Sequence, residues 1–560
     1  MSDSKEERAE HVEHVDHYSA TRKSALDSLT IPQAFKAYKV AAMYATIAAF
    51  SAMCDGYQSR SSPNLFTLHR SHDRGFQVNL NGSIIANKGF IRQFGTVFTK
   101  SATTGTITTS LNPKYVSVWG GMQSVGQVIG MTSSSFVSDY LGRKNALYII
   151  WVVMCASVIV ECVAKNWSHW LGAKILAGVG VGAMQATLPP YIAEIAPTQL
   201  RGALVNAYSA WFVVGQILAP TILQQENKRH PLIFRPAIYS QWAFLGVLIV
   251  LWAIIPESPW WHAGKGNEER GKATLRRLNG SVPGYDVNAE WDIMKATIEH
   301  ERIAAEKLKT GSFVNIFYGT NGWRTLIACW PKCCQQLTGL SLVNSYATYF
   351  FQLAGNKDPF RVTVILACTQ IASVILVSLY TDTGRRTATW VGYAITSLSV
   401  LAIGIIGTQA YTSAPLGSLL IFFACSAIFF NTVSGAIGYV YLAETPTQHW
   451  RARTAGFGAA VGACFGVCFS FSVPIMLKGA PKWGVKTGFF FGITGTIATI
   501  IAYFILPECA QRTTAEIDEM FEKKVAPRDF AKFDTDVQKA WRSDQVAAAR
   551  GEKTEVRHEQ

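Results

Sequence analysis

Apolar runs of about twenty residues recur along the whole chain, and this repetition limits the folds that it can adopt. The run at 145–164, NALYIIWVVMCASVIVECVA, is one example, and 388–407 and 486–506 are others. An α-helix of roughly this length crosses the hydrocarbon core of a bilayer. Charged residues make up only 16% of the chain and apolar residues 49%, whereas soluble domains carry roughly 25% charged residues. The sequence therefore predicts an all-α, polytopic membrane protein.

Twelve segments of this kind are predicted, in two groups of six on either side of a polar stretch at 257–324. That stretch carries ten Lys and Arg residues, so the positive-inside rule places it in the cytoplasm together with both termini. The predicted parts are a cytoplasmic tail (1–39), a six-helix half (40–256), a cytoplasmic helical linker (257–324), a second six-helix half (325–506) and a cytoplasmic tail (507–560). The predicted spans are 40–58 with 78–86, 115–137, 145–164, 168–190, 203–224, 238–256, 325–350, 361–380, 388–407, 416–443, 454–476 and 486–506.

Short motifs recur in the same order in the two halves. They are DYLGRK (139–144) and DTGRR (382–386), a glutamate seven residues before an arginine (Glu194 and Arg201, Glu444 and Arg451), and PES (256–258) and PEC (507–509). Gly142 and Gly384, Glu194 and Glu444, and Pro256 and Pro507 lie 242, 250 and 251 residues apart. Two halves in the same orientation imply a pseudo-twofold axis along the membrane normal, with a site between the halves near mid-membrane.

Composition also narrows the class of function. The net charge of +14 comes from Lys and Arg in the polar connections, which the positive-inside rule explains without nucleic acid as a partner. The polar first forty residues lack the apolar core of a cleavable signal peptide. The eleven cysteines lie mostly in apolar spans without the spacing of a disulfide or zinc framework. No phosphate-binding loop, catalytic triad or metal-ligand cluster is recognisable, so we expect no enzyme activity, cofactor or metal.

Charged residues at the predicted cytoplasmic ends of the spans form a candidate gate. A carboxylate and a guanidinium on neighbouring helix ends can make bidentate hydrogen bonds that hold this side closed and break when it opens. Simple anchoring of helix ends at the interface is the alternative, and repetition in both halves favours the gate. The predicted gate residues are Asp139, Gly142, Arg143, Lys144, Glu194, Arg201, Glu257, Asp382, Arg385, Arg386, Glu444 and Arg451.

Polar side chains inside two spans are candidate site residues, because polar groups at membrane depth usually face a cavity or another helix. In the seventh span these are Gln335, Gln336, Ser341, Asn344, Ser345 and Tyr346, which suit a hydroxyl-rich ligand; ordinary interhelical hydrogen bonding is the alternative. Lys174 in the fourth span is either functional or reaches the interface. That span, GAKILAGVGVGAMQATLPP, also spaces small residues for close helix packing.

The motifs, taken together, resemble those of the sugar porter family of the major facilitator superfamily, over about 40–522. The matching stretches are DYLGRK, AEIAPTQLRGAL (193–204), PESPWW (256–261), QQLTG (335–339), AETPTQHWRAR (443–453) and PECAQRTTAEIDEMF (507–521). Within the family, the chain is most similar to the fungal alpha-glucoside (maltose-type) permeases. The resemblance implies the major facilitator fold and the gating role of the charged set. It also implies sugar binding by Gln216, Gln335, Gln336, Ser341, Tyr346 and Tyr439.

Two departures from the family pattern concern charge. Where the resemblance implies a proton-coupling aspartate after GY in the first span and an arginine in the fourth, this chain has Gln58 and Lys174. A glutamine does not titrate near neutral pH, so the candidates for proton coupling are Asp55, one helical turn earlier, Gln58 and Lys174. In addition, Asp382 stands one residue closer to its arginines than is usual.

We interpret the chain as a secondary transporter that moves a sugar (hexose or alpha-glucoside) or polyol across the plasma membrane by alternating access. A non-transporting sugar receptor and an exporter of another small metabolite are the alternatives. The expected partners are the sugar, protons where coupling exists, and the lipid bilayer, with the monomer as the working unit. The sequon NWS at Asn166 lies on a predicted external connection, so glycosylation is expected there.

A polar, basic stretch interrupts the first span at 59–77. Without it, GYQ continues directly as VNLNGS and the span reads as one apolar segment. The nineteen residues correspond to fifty-seven nucleotides, the size of a short retained intron. The sequence alone leaves two alternatives open, a retained intron and a real insertion that loops out of the membrane.

Proton coupling is expected to be weak or absent because of Gln58. Adding a transported sugar to cells in a weakly buffered medium should leave the external pH unchanged. Alkalinisation that disappears in the Asp55→Asn variant would contradict this expectation and assign coupling to Asp55.

Overall fold

The structure is a computed structural model, and the residues that it describes lie in sixteen stretches. They are 31–54, 84, 87–100, 107–197, 200–229, 232–309, 316–347, 350–351, 359–380, 384–409, 414–447, 451–478, 483–510, 512, 514–530 and 532–535. The interruption at 59–77, together with Asp55 and Gln58, lies outside these residues.

The first half is helical. Its elements are α1 (Ile31–Ala37), α2 (Lys39–Phe50), α3 (Lys88–Phe94), α4 (Pro113–Leu141), α5 (Arg143–Val163), α6 (Trp167–Ile195), α7 (Arg201–Arg229) and α8 (Arg235–Ile254). Asn112 begins α4, since its side chain accepts from the Lys114 N–H and Pro113 follows at the first helical position. Five of the predicted spans correspond to α4 through α8, and α2 forms the start of the first.

The linker and the second half are helical as well. The linker contains α9 (Pro259–Gly264), α10 (Glu268–Asn279) and α11 (Val287–Lys309). The second half contains α12 (Gly319–Leu337), α13 (Pro359–Tyr380), α14 (Arg385–Ile406), α15 (Ala414–Glu444), α16 (Arg451–Lys478) and α17 (Thr487–Ile505), and α18 (Thr514–Glu522) follows. By length and apolar composition alone, seven helices of the described part can cross a membrane.

The seventh span is broken, although the sequence predicts one span at 325–350. The helix α12 ends at Leu337, Gly339 has a φ of +89°, and a π-helical turn runs from Ser341 to Ser345. Glycine suits this break because its φ lies in the left-handed region. Within α12, Pro331 cannot donate a backbone hydrogen bond to the preceding turn. The break brings non-helical backbone into the bundle beside the candidate site residues.

A small hairpin lies between the first and second spans and was missed by the sequence interpretation. Its strands are β1 (Val97–Lys100) and β2 (Ile107–Ser110), which pair antiparallel with Val97 opposite Ser110. Threonine and β-branched residues in this stretch favour strands. The hairpin is the one sheet among the described residues.

The closest helix contact in the first half is between α4 and α6, and glycines make it possible. A Cβ on Gly178 or Gly182 would lie 2.1 Å from a backbone oxygen of α4, and one on Gly130 would lie 2.1 Å from the Val179 oxygen of α6. The two backbones touch because both helices carry glycines four residues apart, as the small residues of α6 predict. This arrangement leaves no space for a side chain at the contact.

In the described part of the chain, the two halves meet mainly along two helix pairs. The helix α4 packs against α16, and α7 packs against α13. At the first contact Ser124 Oγ and Ser470 Oγ are 3.5 Å apart, and the Phe471 ring occupies the space where a side chain on Gly121 would project. One hydrophobic cluster includes residues of both halves. The halves thus share a core while each keeps its own helix contacts.

After the last span the chain packs back onto the second half through α18. Ile517, Met520 and Phe521 are buried and belong to the cluster that includes Tyr441. Arg324, at the start of α12, forms an ion pair with Asp518 and donates to the Thr445 carbonyl. The tail therefore contributes a helix that covers the ends of the membrane-spanning helices.

The contact between α4 and α6 should not tolerate even a methyl group. We expect Gly182→Ala to lower the free energy of unfolding by about 1–3 kcal/mol, because the added Cβ meets the Gln127 backbone oxygen. Gly172→Ala is the matched control on the same helix, since nothing lies within 4 Å of its Cβ position. Thermal unfolding of the purified protein compares them, and equal melting temperatures would contradict the close packing.

Candidate functional site

Six of the predicted gate residues of the first half lie together on the side of the bundle that carries the linker, namely Asp139, Gly142, Arg143, Lys144, Glu194 and Glu257. Arg143, at the start of α5, donates from Nη1 to Asp139 Oδ1 at 2.8 Å and from Nη2 to Glu194 Oε1 at 3.0 Å. Its Nε also lies 3.3 Å from both Glu194 oxygens. One guanidinium therefore joins the ends of α4, α5 and α6 by charge-assisted hydrogen bonds.

Glu257 is the second centre of this cluster. Its carboxylate accepts from the backbone N–H groups of Arg143 at 2.8 Å and of Lys144 at 3.1 Å, the first two residues of α5. A carboxylate is favoured there because a helix N-terminus has unpaired N–H groups and a positive dipole end. Burial raises the pKa of Glu257, and the N–H groups of Ser258, Lys144 and Arg143 oppose that rise.

Gly142 makes room for this carboxylate. Its φ is +99°, and a Cβ there would lie 2.4 Å from Glu257 Oε2. Glycine adopts such a φ readily, whereas other residues are strained there. The glycine of DYLGRK thus has a defined role, which is to let the loop after α8 contact the start of α5.

The second half repeats this joint with its own residues. Glu508 accepts from the Arg386 N–H at 3.0 Å. The Arg386 side chain donates to the carbonyls of Tyr503 and Leu506 at the end of α17. The first half matches this contact, since Lys144 Nζ donates to the Ala253 carbonyl at the end of α8.

Two tyrosines extend the correspondence between the halves. The Tyr191 hydroxyl donates to the Pro256 carbonyl at 2.6 Å, and the Tyr441 hydroxyl donates to the Pro507 carbonyl at 2.7 Å. Each tyrosine ties the fourth helix of its half to the proline that ends the sixth. The internal repeat is therefore visible as equivalent contacts as well as equivalent sequence.

The remaining gate residues are only partly described. Arg385 is buried at the start of α14, and Asp382 lies outside the described residues. Arg201, Glu444 and Arg451 stand at helix ends, and their side chains lie outside the described part. The gate role of these residues stays a prediction.

Lys174 forms a buried ion pair in the first half. Its Nζ donates to Glu161 Oε1 at 2.8 Å, and both residues are 3% exposed. Gln241 of α8 donates to the other oxygen of Glu161 at 2.7 Å, and Lys174 Nζ lies 4.4 Å from the Trp170 ring centre. Lys174 therefore connects α6 to α5 and does not extend to the interface, the alternative that the sequence left open.

The predicted binding residues of the seventh span lie at the end of α12 and beyond it. Gln335, Gln336, Ser341, Asn344 and Tyr346 are all at most 5% exposed. The Tyr346 hydroxyl donates to the Ser470 carbonyl of α16 at 2.9 Å. A polar surface is thus carried by the broken helix and buried inside the bundle.

Three of the predicted amides have buried atoms without a hydrogen-bond partner among the described residues. Both amide atoms of Gln216, Oε1 of Gln336 and Nδ2 of Asn344 have this property. An unsatisfied buried polar group costs about 1–3 kcal/mol. These amide atoms are therefore available to a ligand, and they belong to residues that the sequence predicts to bind substrate.

The structure adds four residues that the sequence interpretation did not include in its site. Lys332 contacts Gln335 and Tyr439, and Asn431 donates to the Gln335 carbonyl and to Thr338 Oγ1. Gln241 donates a hydrogen bond to Glu161. Glu508 is the counterpart of Glu257 in the second half. Lys332 was detectable by the rule that singled out Lys174, a cation within an apolar span. Glu508 lies in the PEC repeat, so it was detectable as well.

Asn166 is exposed between α5 and α6. It precedes α6 and its side chain makes no capping hydrogen bond. An exposed sequon of this kind is sterically open to a glycan, and glycosylation stays a prediction.

The family model described as "Sugar (and other) transporter" matches residues 64–521. The general alpha-glucoside permease of Saccharomyces cerevisiae is 27% identical over 516 residues, which cover 90% of this chain and 79% of that protein. The maltose permease MAL31 of the same organism is 28% identical over 448 residues, 77% of this chain and 70% of that one. The low-affinity glucose transporter HXT3 is 25% identical over 475 residues, 81% of this chain and 80% of that one.

Solved structures agree on the fold. The inward-open xylose transporter XylE from E. coli superposes with a TM-score of 0.63 at 18% identity, covering 85% of this chain and 98% of that chain. The partially occluded inward-open form of XylE gives 0.62 over 83% of this chain and 100% of that chain. At this identity the likeness shows the fold alone.

The twelve-helix bundle, its two matching halves and the fold of these neighbours define a membrane transporter of the major facilitator type. The prediction of twelve membrane-spanning helices in two six-helix halves is therefore confirmed. The chain belongs to the sugar (and other) transporter family, whose model covers most of its length. Its function is transport, and it is not an enzyme.

The Lys174–Glu161 pair generates a prediction about stability. Lys174→Met should lower the free energy of unfolding by about 3–5 kcal/mol, because it leaves the Glu161 carboxylate buried without its cation. Adding Glu161→Gln should restore most of the loss, since the double variant buries no charge. Thermal unfolding of the three proteins tests this, and a double variant as unstable as Lys174→Met would contradict it.

Proposed function

We propose that this transporter carries a neutral sugar, a hexose or an alpha-glucoside, or a polyol, inward across the plasma membrane by alternating access. The observation that carries the proposal is the buried amide of Gln216, which is 0% exposed and has no partner for either amide atom among the described residues. A sugar hydroxyl is both donor and acceptor, so it can satisfy each end of such an amide.

The seventh span supports the same substrate class. Gln336 and Asn344 offer an acceptor and a donor in addition to those of Gln216. Tyr346 is buried, and the half-buried Tyr439 lies against Lys332, which contacts Gln335. Ring faces suit the apolar side of a sugar. Small-molecule sites typically have a small number of precisely placed polar groups in largely apolar surroundings.

The linker-side contacts support alternating access. Arg143 joins α4, α5 and α6 through exchangeable ion pairs, whereas rigid backbone contacts hold α4 to α6. We propose that the ion pairs form when this side is closed and break when it opens, with the second half contributing Arg385, Arg386, Glu444 and Arg451. Such a motion is the rocking of two halves about a central site.

The remaining features of the proposal concern the protein's surroundings. We propose that the linker side is cytoplasmic, that the monomer transports in the lipid bilayer, that Asn166 carries a glycan on the opposite side, and that proton coupling is weak. Fungal permeases for alpha-glucosides and maltose are among the similar proteins, which supports the substrate class and the plasma membrane.

Uptake of radiolabelled hexoses, pentoses, disaccharides and polyols by transporter-deficient yeast tests the proposal. We expect saturable uptake of at least one sugar or polyol. We expect Gln216→Ala and Gln336→Ala to raise KM about tenfold or more, since a lost hydrogen bond at a buried site costs about 1–3 kcal/mol.

The matched control is Gln409→Ala, an exposed glutamine after α14, which should leave KM unchanged. Immunodetection at the cell surface corrects each rate for protein amount. Failure of the whole panel would contradict the sugar assignment, and sugar-dependent signalling without uptake would indicate a receptor. A KM in Gln216→Ala equal to that of Gln409→Ala would remove Gln216 from the site.

A further inference from the structure

A buried lysine lies next to two of the proposed sugar-binding side chains. Lys332 is 2% exposed and is among the largest fully buried side chains of the described residues. It stands in α12, one helical turn before Gln335. A cation inside a membrane-spanning helix is costly, and such residues commonly belong to functional sites.

The ammonium group contacts two helices at once. Lys332 Nζ donates to Gln335 Oε1 at 3.1 Å and to the Gly435 carbonyl at 2.9 Å. It also lies 3.2 Å from the centre of the Tyr439 ring. Because Gly435 and Tyr439 are on α15, this one group joins α12 to α15 through residues of the proposed site.

The contact with Gln335 has a defined chemical effect. A glutamine amide carries an acceptor at one end and two donors at the other. If the amide turned by 180°, its NH2 group would face the ammonium, and two donors would meet. Lys332 therefore holds Oε1 toward itself and directs the Nε2 donors to the opposite side.

The contact with Tyr439 acts on the second helix. A cation over a ring face is attracted by the negative potential of that face, which favours one ring orientation. Gly438 allows the approach, because a Cβ there would lie 3.1 Å from Pro331 Cβ and 3.6 Å from Lys332 Cε. The lysine thus fixes a polar group and an aromatic group with one charge.

We propose that Lys332 is a positioning residue of the substrate site. By fixing which end of the Gln335 amide the substrate meets, and the ring of Tyr439, it determines which hydroxyl groups the site recognises. The proposal rests on the proposed function, since it takes Gln335 and Tyr439 as substrate contacts. The lysine acts through these side chains.

The test is Lys332→Met, which keeps the unbranched apolar stem of the side chain and removes its charge. We expect KM for the best-transported sugar to rise about tenfold, the size expected for a lost charge-assisted hydrogen bond, with Vmax per surface molecule unchanged. Competition by single deoxy analogues should become less selective, because no ammonium then disfavours the turned orientation of the Gln335 amide. Lys332→Arg, which keeps the charge, should retain the wild-type order of analogues.

A double-variant cycle separates positioning from a purely structural role. In the Gln335→Ala background, Lys332→Met should raise KM by much less than in the wild type, since the residue through which it acts is gone. A structural role would instead lower the surface amount and Vmax in both backgrounds. Lys165→Met, at an exposed lysine between α5 and α6, is the matched control and should change neither value.

The outcomes distinguish this inference from the function on which it rests. A wild-type KM in Lys332→Met, with a raised KM in Gln335→Ala, would overturn the role of Lys332 and leave the proposed function standing. No saturable uptake by the wild type would overturn both. If Lys332→Met fails to reach the surface, Lys332→Gln is measured in its place, and a wild-type KM and analogue order in that variant would overturn the inference.

Discussion

Inside a bilayer, a polar side chain is satisfied by the protein itself, by water in a cavity or by what the protein binds. This constraint organises the interior of the transporter. Glu161 is held by a lysine and a glutamine from two other helices, and Lys332 is held by an amide, a carbonyl and a ring. Gln216, in contrast, has buried amide atoms with no partner among the described residues. Gln216 thus differs from Glu161 and Lys332 in that the described part of the protein supplies no partner for its polar atoms.

The helix contacts on the linker side also form because polar groups need hydrogen-bond partners. A helix that starts in this region has unpaired N–H groups, and in each half a glutamate from the end of the sixth helix accepts from the start of the third. Each half also uses a tyrosine hydroxyl to reach the proline before that glutamate. The equivalence is one of geometry, because Lys144 donates to the end of α8 and Arg386 to the end of α17 with different head groups.

The sequence predicts the fold well because the membrane makes the signal simple. The length of each apolar run marks a span, and motifs that recur in the same order identify the two halves. It predicts DYLGRK as part of a gate, since a conspicuous arginine lies among acids at helix ends. It does not predict the break of the seventh span at Thr338 or the hairpin at 97–110, because these depend on local backbone geometry within an apolar or threonine-rich stretch. It also misses the pairing of Lys174 with Glu161, because helical neighbours in space are not neighbours in sequence. Lys332 shows the remaining limit, since its contacts with Gly435 and Tyr439 depend on how α15 packs against α12.

The glycine contact of α4 with α6 and the lysine contact of α12 with α15 differ in how they can change over evolution. In the first, backbone touches backbone, so almost any substitution adds volume that nothing can accommodate. In the second, long side chains meet, and each can be exchanged for another of different reach or polarity. The contact of α4 with α6 is thus constrained to keep its shape, whereas the contact of α12 with α15 can vary in its side chains. Related transporters can therefore change the side chains where α12 meets α15 while the backbone packing of α4 against α6 stays the same.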